Sequence, residues 1–266
     1  MIKKFLLAGG VLATLGFGTL LEVDAGVGTW SQDYDGYVKI GNTKNYFDKS
    51  SAETDGNPNT GNFGLDTEWN FYFYAKVIHP LPILPNLRFQ YTKYDTTGRS
   101  KYISGNVEVF GEVDIPTSLT NASTDLSIDS YDVTLFYQFS PVVADVELGV
   151  GVDLWDGSLK IVGTGTDGKV YTIKDSFLLP LPYLYGRVES MKFYGVSFVG
   201  MGKFATFSDN HHYDFMGAVK YTMDLPGFAD PYIEVGYRYK DIKGVKSDNE
   251  TILKTEGIFA EVGMSF

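Results

Sequence analysis

The chain has 266 residues, no cysteine and a formal net charge of −11. Without cysteine there is neither a disulfide framework nor a thiolate metal site, and the acidic balance argues against nucleic acid as a partner. The 19 Tyr, 19 Phe and 30 Gly favour strands joined by turns over packed helices.

At the N-terminus Lys3 and Lys4 precede an uncharged apolar run from Phe5 to Phe17, and Gly16 and Gly18 supply small residues before a cut after Gly18. This pattern predicts a secretory signal peptide over 1–18, followed by one domain over 19–266. The run is too short for a spanning helix, which needs roughly 20 residues. A retained anchor, or a cut nearer Ala25, are the alternatives. Loss of 1–18 removes two lysines and no acid, leaving 20 basic against 33 acidic residues, a net of −13.

Side chains alternate faces along a strand, and this period recurs through the chain. Leu21, Val23, Ala25, Val27 and Thr29 line one face of a first strand, with Glu22, Asp24 and Gly28 opposite. The polar tract from Gly41 to Gly64 reads as a surface loop. Trp69, Phe71, Phe73, Ala75 and Val77 form the apolar face of a second strand. It ends at His79-Pro-Leu-Pro-Ile-Leu-Pro-Asn86, where three prolines demand a turn. Leu87, Phe89 and Tyr91 resume the pattern in a third strand. Residues 96–125 are mixed, and Val107, Val109 and Val113 suggest a strand extension or a small extra hairpin.

The fourth strand carries Tyr131, Val133, Leu135, Tyr137 and Phe139, and the fifth Val146, Leu148, Val150, Val152 and Leu154. Residues 157–175 predict an exposed hairpin turning near Gly168. Pro180 and Pro182 weaken a sixth strand over 178–189, and the glycine-rich seventh, 193–207, has two similar faces. A loop at 208–212 leads to an eighth strand bearing Tyr213, Phe215, Val219 and Tyr221. The ninth holds Ile233, Val235 and Tyr237. After a polar loop near 243–250, the tenth places Ile258, Ala260, Val262, Met264 and Phe266 on one face.

Ten strands, with short connections alternating with long polar ones, predict an all-β fold: a transmembrane antiparallel up-and-down β-barrel of about ten strands in a bacterial outer membrane. Backbone groups in lipid must pair internally, which forces the sheet to close. The apolar faces would meet lipid. The other parity would place Glu68, Lys76, Arg88, Glu147, Arg187, Lys220, Glu234, Arg238 and Glu261 in the lumen, as ion pairs filling a narrow interior. This register makes Val150→Arg far more damaging than Gly151→Arg. The expected partners are outer-membrane lipids and lipopolysaccharide, the barrel assembly machinery and periplasmic chaperones. A monomer is expected, with no cofactor or metal.

Several segments resemble a little-characterised family of bacterial outer-membrane β-barrel proteins. They are Gly26-Val-Gly-Thr-Trp30, the turn with His79, Pro80, Pro82, Pro85 and Asn86, Leu179-Pro-Leu-Pro-Tyr-Leu-Tyr-Gly186, Gly236-Tyr-Arg-Tyr239 and the terminal Phe266. The resemblance covers the whole chain after residue 18 and implies a Gram-negative cell-envelope location, but no activity. Phe266, Met264, Val262 and Ala260 also resemble the C-terminal assembly signal of outer-membrane proteins.

The one concentration of catalytic residue types is Asp209, His211, His212 and Asp214. Adjacent histidines on an extended segment point opposite ways, which disfavours a shared metal. An outer-loop His/Asp pair on a ten-stranded barrel is similar to the omptin proteases, although no omptin motif is present and the further acids cannot be placed. Solvated loop residues are the simpler reading, and no catalytic residue is assigned. Three classes follow: a structural or surface-display barrel, a narrow porin-like passage for small solutes, and a membrane-embedded hydrolase.

Overall fold

The computed structural model describes residues 21–48, 57–226 and 229–266; the signal peptide expected over 1–18 lies outside them. Fourteen strands are present among the described residues: β1 (Glu22–Ile40), β2 (Thr43–Tyr46), β3 (Thr60–Asn62), β4 (Glu68–Ile78), β5 (Asn86–Ile103), β6 (Val107–Val109), β7 (Val113–Ile115), β8 (Leu119–Phe139), β9 (Ala144–Gly165), β10 (Val170–Ser190), β11 (Val196–Phe207), β12 (Asn210–Thr222), β13 (Asp230–Lys246) and β14 (Asn249–Ser265). Ten form a ring in the order β1, β4, β5, β8, β9, β10, β11, β12, β13, β14, and β14 pairs back onto β1. That closing ladder is antiparallel and runs from Asp24↔Ser265 to Ile40↔Asn249. Closure removes the exposed sheet edge that would otherwise template aggregation.

The ring has two zones of opposite polarity. Toward the end that holds the chain terminus, outward residues are apolar: Val23, Ala25 and Val27 on β1, Val146 to Leu154 on β9, Ile258, Ala260 and Val262 on β14. About nine residues at roughly 3.3 Å each, tilted as barrel strands are, give a band roughly 21–25 Å tall. Trp69, Tyr91, Tyr131, Tyr213 and Tyr237 rim it on one side, and Tyr137, Phe139, Tyr221 and Phe266 on the other. These are the interfacial girdles that amphipathic rings favour. In this zone most inward residues are polar or charged, with a smaller apolar cluster around Phe136, Met201 and Ala205 among them.

Above the upper girdle the pattern reverses. On β1 the outward positions become Asp33 and Asp35, and the apolar positions become the inward Trp30, Tyr34 and Val38, all about fully buried. On β8, Asp125 and Asp129 face out while Leu126 and Ile128 face in; on β9, Asp156 and Lys160 face out while Trp155, Leu159 and Ile161 face in. No strand needs a bulge there, since the parity of the chain is constant and only its chemistry changes. Water now lies outside the sheet and an apolar core within.

This reversal corrects several sequence expectations. The hairpin expected over 157–175 is present, β9 turning into β10 across residues 166–169, but the loops expected at 208–212 and 243–250 are mostly strand: β11 turns into β12 across 208–209, and β13 into β14 across 247–248. Their polar residues belong to wet strand faces, not to loops. Residues 96–125 contain the rest of β5, the β6–β7 hairpin and the start of β8. The tract 41–64 carries β2 and β3, with Phe47 and Phe63 stacked at 5.2 Å. Pro180 and Pro182 sit inside β10, beyond the β10–β11 ladder that covers only Leu184–Glu189, so their missing N–H groups cost no bond on that side.

Candidate functional site

The interior of the ring is the candidate site, and it is layered. In the membrane zone, Lys76 Nζ lies 2.7 Å from Asp24 and 3.1 Å from Glu147. Arg187 joins Glu147 at 3.4 Å to Glu189 at 2.6 Å, and Lys220 approaches Glu189 at 3.4 Å. Tyr185 Oη donates to Glu147 Oε2 at 2.7 Å and Ser197 Oγ to Glu189 at 3.0 Å. Charges removed from water are tolerated only when paired and hydrogen-bonded. The strands satisfy this by presenting opposite signs at i and i+2 or across a ladder.

A second layer lies nearer the upper girdle. Lys203 Nζ meets Asp132 at 2.5 Å and Asp214 at 3.9 Å. Arg238 forks onto Asp214 through Nε at 2.9 Å and Nη2 at 2.6 Å. Lys240 meets Asp153 at 2.5 Å, and Trp155 Nε1 and Ser130 Oγ donate to the same carboxylate at 3.0 and 2.6 Å. Between the layers is a cavity of about 20 Å³, bordered by Trp30, Arg88, Glu234 and Glu261. Such a space holds about one water molecule.

Above both layers the apolar core is sealed by the β6–β7 hairpin, folded into the mouth of the ring. Val107, Val109, Val113 and Ile115 are almost wholly buried. The Phe110 ring lies 5.4 Å from Phe177 and 6.5 Å from Trp155. Phe110 N donates to Thr251 Oγ1 at 2.8 Å, Lys246 Nζ to Gly111 O at 2.6 Å, and Asn249 Nδ2 to Glu108 O. The turn of the hairpin places Phe110 and Gly111 at φ 53° and 68°, a conformation Gly111 adopts freely and Phe110 keeps because its ring is buried. The hairpin, the apolar core and the two ion-pair layers thus occupy successive levels of the interior among the described residues.

Of the charged residues expected in the lumen, Lys76, Arg88, Glu147, Arg187, Lys220, Glu234, Arg238 and Glu261 lie inside the ring. Glu68 shares their parity but is exposed, because β4 ends there. It borders a groove of about 660 Å³ on the wet outer wall with Asp95, Asp125, Lys160 and Lys174. Asp132, Asp153, Lys203 and Lys240 join them in the interior, each at the inward parity of its strand. Gly151 also faces inward, and a Cβ there would collide with the Tyr183 ring. Gly151→Arg therefore carries a steric cost of its own inside the ring, which the ranking of Val150→Arg above it did not include.

The histidines are not solvated loop residues, because β12 begins at Asn210. His211 faces out, its Nε2 3.0 Å from Asp241 Oδ1 and its ring stacked 4.5 Å from Tyr213. His212 faces in, buried against Tyr183 at 5.6 Å, and Asp214 beside it is committed to Arg238. The group splits between two sides of the wall, so it assembles no joint site. No cluster of three or more potential metal-ligating His, Asp or Glu occurs among the described residues.

At the opposite end His79 organises the proline turn. Its Nδ1 accepts from Leu81 N at 3.2 Å and its Nε2 lies 3.1 Å from Pro85 O, while Asn86 Oδ1 accepts from His79 N at 3.1 Å. Pro80 and Pro82 are exposed within that loop. At the terminus, Ala260, Val262, Met264 and Phe266 all face outward.

No protein-family model matches the chain, and no curated protein matches it. Among solved structures, the outer membrane protease OmpT from Escherichia coli aligns at a TM-score of 0.46 and 8% identity, covering 95% of this chain and 98% of that one. The P. putida toluene transporter TodX aligns at 0.25 and 9%, covering 93% and 90%. A TodX deletion mutant described as a monoaromatic hydrocarbon channel aligns at 0.30 and 9%, covering 92% and 90%. Alignments this loose transfer no activity, substrate or partner to the present chain.

Proposed function

We propose that this chain is an integral β-barrel protein of a Gram-negative outer membrane that acts as a structural or surface element, through its outer half, and not as an open pore. The apolar band between two aromatic girdles supports the location, since a closed ring with that exterior matches lipid and satisfies its own backbone. The observation that carries the role is the filled interior: two ion-pair layers beneath an apolar core, closed by β6–β7. The surface left to meet other molecules is the wet outer wall, where the groove bearing Lys160, Lys174, Asp95 and Asp125 stands just above the girdle. At that height it would face lipopolysaccharide headgroups. Delivery would use the barrel assembly machinery and periplasmic chaperones, with the outward Phe266 set as the signal.

Planar-bilayer recording of the purified, folded protein tests this reading. Silence at applied voltage is expected. Discrete conductance steps would replace the surface role with solute passage.

A further inference from the structure

The described interior contains eight buried carboxylates, Asp24, Asp132, Glu147, Asp153, Glu189, Asp214, Glu234 and Glu261. Against them stand seven enclosed cations, Lys76, Arg88, Arg187, Lys203, Lys220, Arg238 and Lys240. His212 adds no charge, because neither ring nitrogen has an acceptor and a charged imidazole would need two. One negative charge is therefore left over among these buried groups.

The excess can be located. Six of the eight carboxylates lie within 4.0 Å of a cation: Asp24, Asp132, Glu147, Asp153, Glu189 and Asp214. Glu234 and Glu261 do not, and they are direct cross-strand partners on β13 and β14 with side chains on the same face. Tyr232 Oη donates to Glu261 Oε1 at 2.9 Å. Both glutamates border the 20 Å³ cavity, as does Arg88, the enclosed cation that makes no ion pair and whose Nε has no partner. Two like carboxylates side by side cannot both stay ionised cheaply out of water.

We propose that Glu234 and Glu261 hold one proton between them, through a water enclosed in the central cavity. The cavity's other groups select a proton over an alkali cation. Arg88 Nε–H and Trp30 Nε1–H, both without partners, belong to residues that line this cavity, and such donors repel a metal ion but suit a water that accepts from them and donates to carboxylate. The surrounding charges are already committed. On β10 Arg187 and Glu189 pair together, on β12 Lys220 pairs with Glu189, and on β13 Arg238 pairs with Asp214. On β4 Tyr74 bonds Tyr232, Tyr72 borders the cavity, and on β1 Asp24 pairs with Lys76. None of these is free to neutralise the pair.

Infrared spectroscopy of the folded, detergent-solubilised protein at neutral pH tests this. The carbonyl stretch of one protonated carboxylic acid is expected in the wild type. It should vanish in Glu234→Gln and equally in Glu261→Gln, because removing either acid balances the interior at seven of each sign. If one variant fails to fold, the other decides. Absence of the band in the wild type would overturn the proposal, as would its persistence in a folded variant. So would a band that appears only after sodium and potassium are dialysed away, since that would assign the cavity to a metal cation.

Discussion

Val23 and Phe266 exchange both backbone hydrogen bonds, Phe266 N donating to Val23 O at 2.9 Å and Val23 N to Phe266 O at 3.2 Å. The final residue thus completes the β1–β14 seam and also turns its ring outward at the lower girdle. Deleting Phe266 removes both bonds and the aromatic anchor. Reduced insertion into the outer membrane is expected, read as loss of the compact heat-modifiable band on gels. Undiminished insertion of the truncated chain would refute a role for this residue in assembly.

Val150 is half-exposed in the middle of the apolar band, and Ser158 follows on the same face of β9 above the girdle. Arginine at the bilayer midplane costs about 2–4 kcal/mol, falling toward about 0–1 at the interface. Val150→Arg should therefore lower the denaturant midpoint of folding into vesicles, while Ser158→Arg leaves it near wild type. Similar losses in both would misplace the band.

The Asp132–Lys203 pair is enclosed, and Tyr183 Oη also donates to Asp132 at 2.6 Å. Asp132→Ala leaves the buried Lys203 ammonium only its 3.9 Å contact with Asp214, and breaking a buried pair in this way costs about 3–5 kcal/mol. The double variant Asp132→Leu with Lys203→Met removes both charges and should recover much of that loss. A double-mutant cycle on unfolding free energies reads the difference.

The β6–β7 hairpin is held by burial of Val109 against the apolar core. Val109→Asp places a charge there and should release the hairpin without breaking any ladder of the ring. The expected sign is cleavage within 104–118 by protease added to intact cells, with the barrel still heat-modifiable. Continued resistance would show that the side-chain anchors of Thr251 and Asn249 suffice.

At the outer rim Glu250 accepts hydrogen bonds from Lys243 at 2.8 Å and Tyr37 at 2.5 Å. The Lys243 contact, ahead of Tyr37, holds this carboxyl below its usual range, while the bond to Glu250 pushes the Tyr37 phenol up to about 12. A depressed carboxylate contributes stability above its unfolded value and loses it as pH falls through the folded one. Glu250→Gln should therefore flatten the acid limb of a stability–pH curve. The effect will be small, because the pair is partly solvated.

The ten-strand ring was legible in sequence because lipid enforces an uncharged outward face, as in Val146 to Leu154. The upper halves were not, because the apolar residues change parity without any change in chain geometry. Trp30, Tyr34 and Val38 follow Val23, Ala25 and Val27 out of phase, so a period-two pattern appears to end where the strand continues. His212 and Asp214 show the same effect, since their burial depends on facing an interior that only the assembled ring creates. Ion-pair partners were equally hidden. Inward parity marks Lys203 and Asp132 as candidates, but only β11 and β8 meeting across the lumen pairs them.

The inward-folded hairpin also constrains the order of events during biogenesis. Once β1 and β14 are joined, the packed interior leaves no corridor through which a polar segment could travel. The five connections on the far side, including residues 104–118, must therefore cross while the ring is still an open sheet. In that order, sealing the seam at Phe266 follows the crossing and commits whatever has already crossed to remain outside.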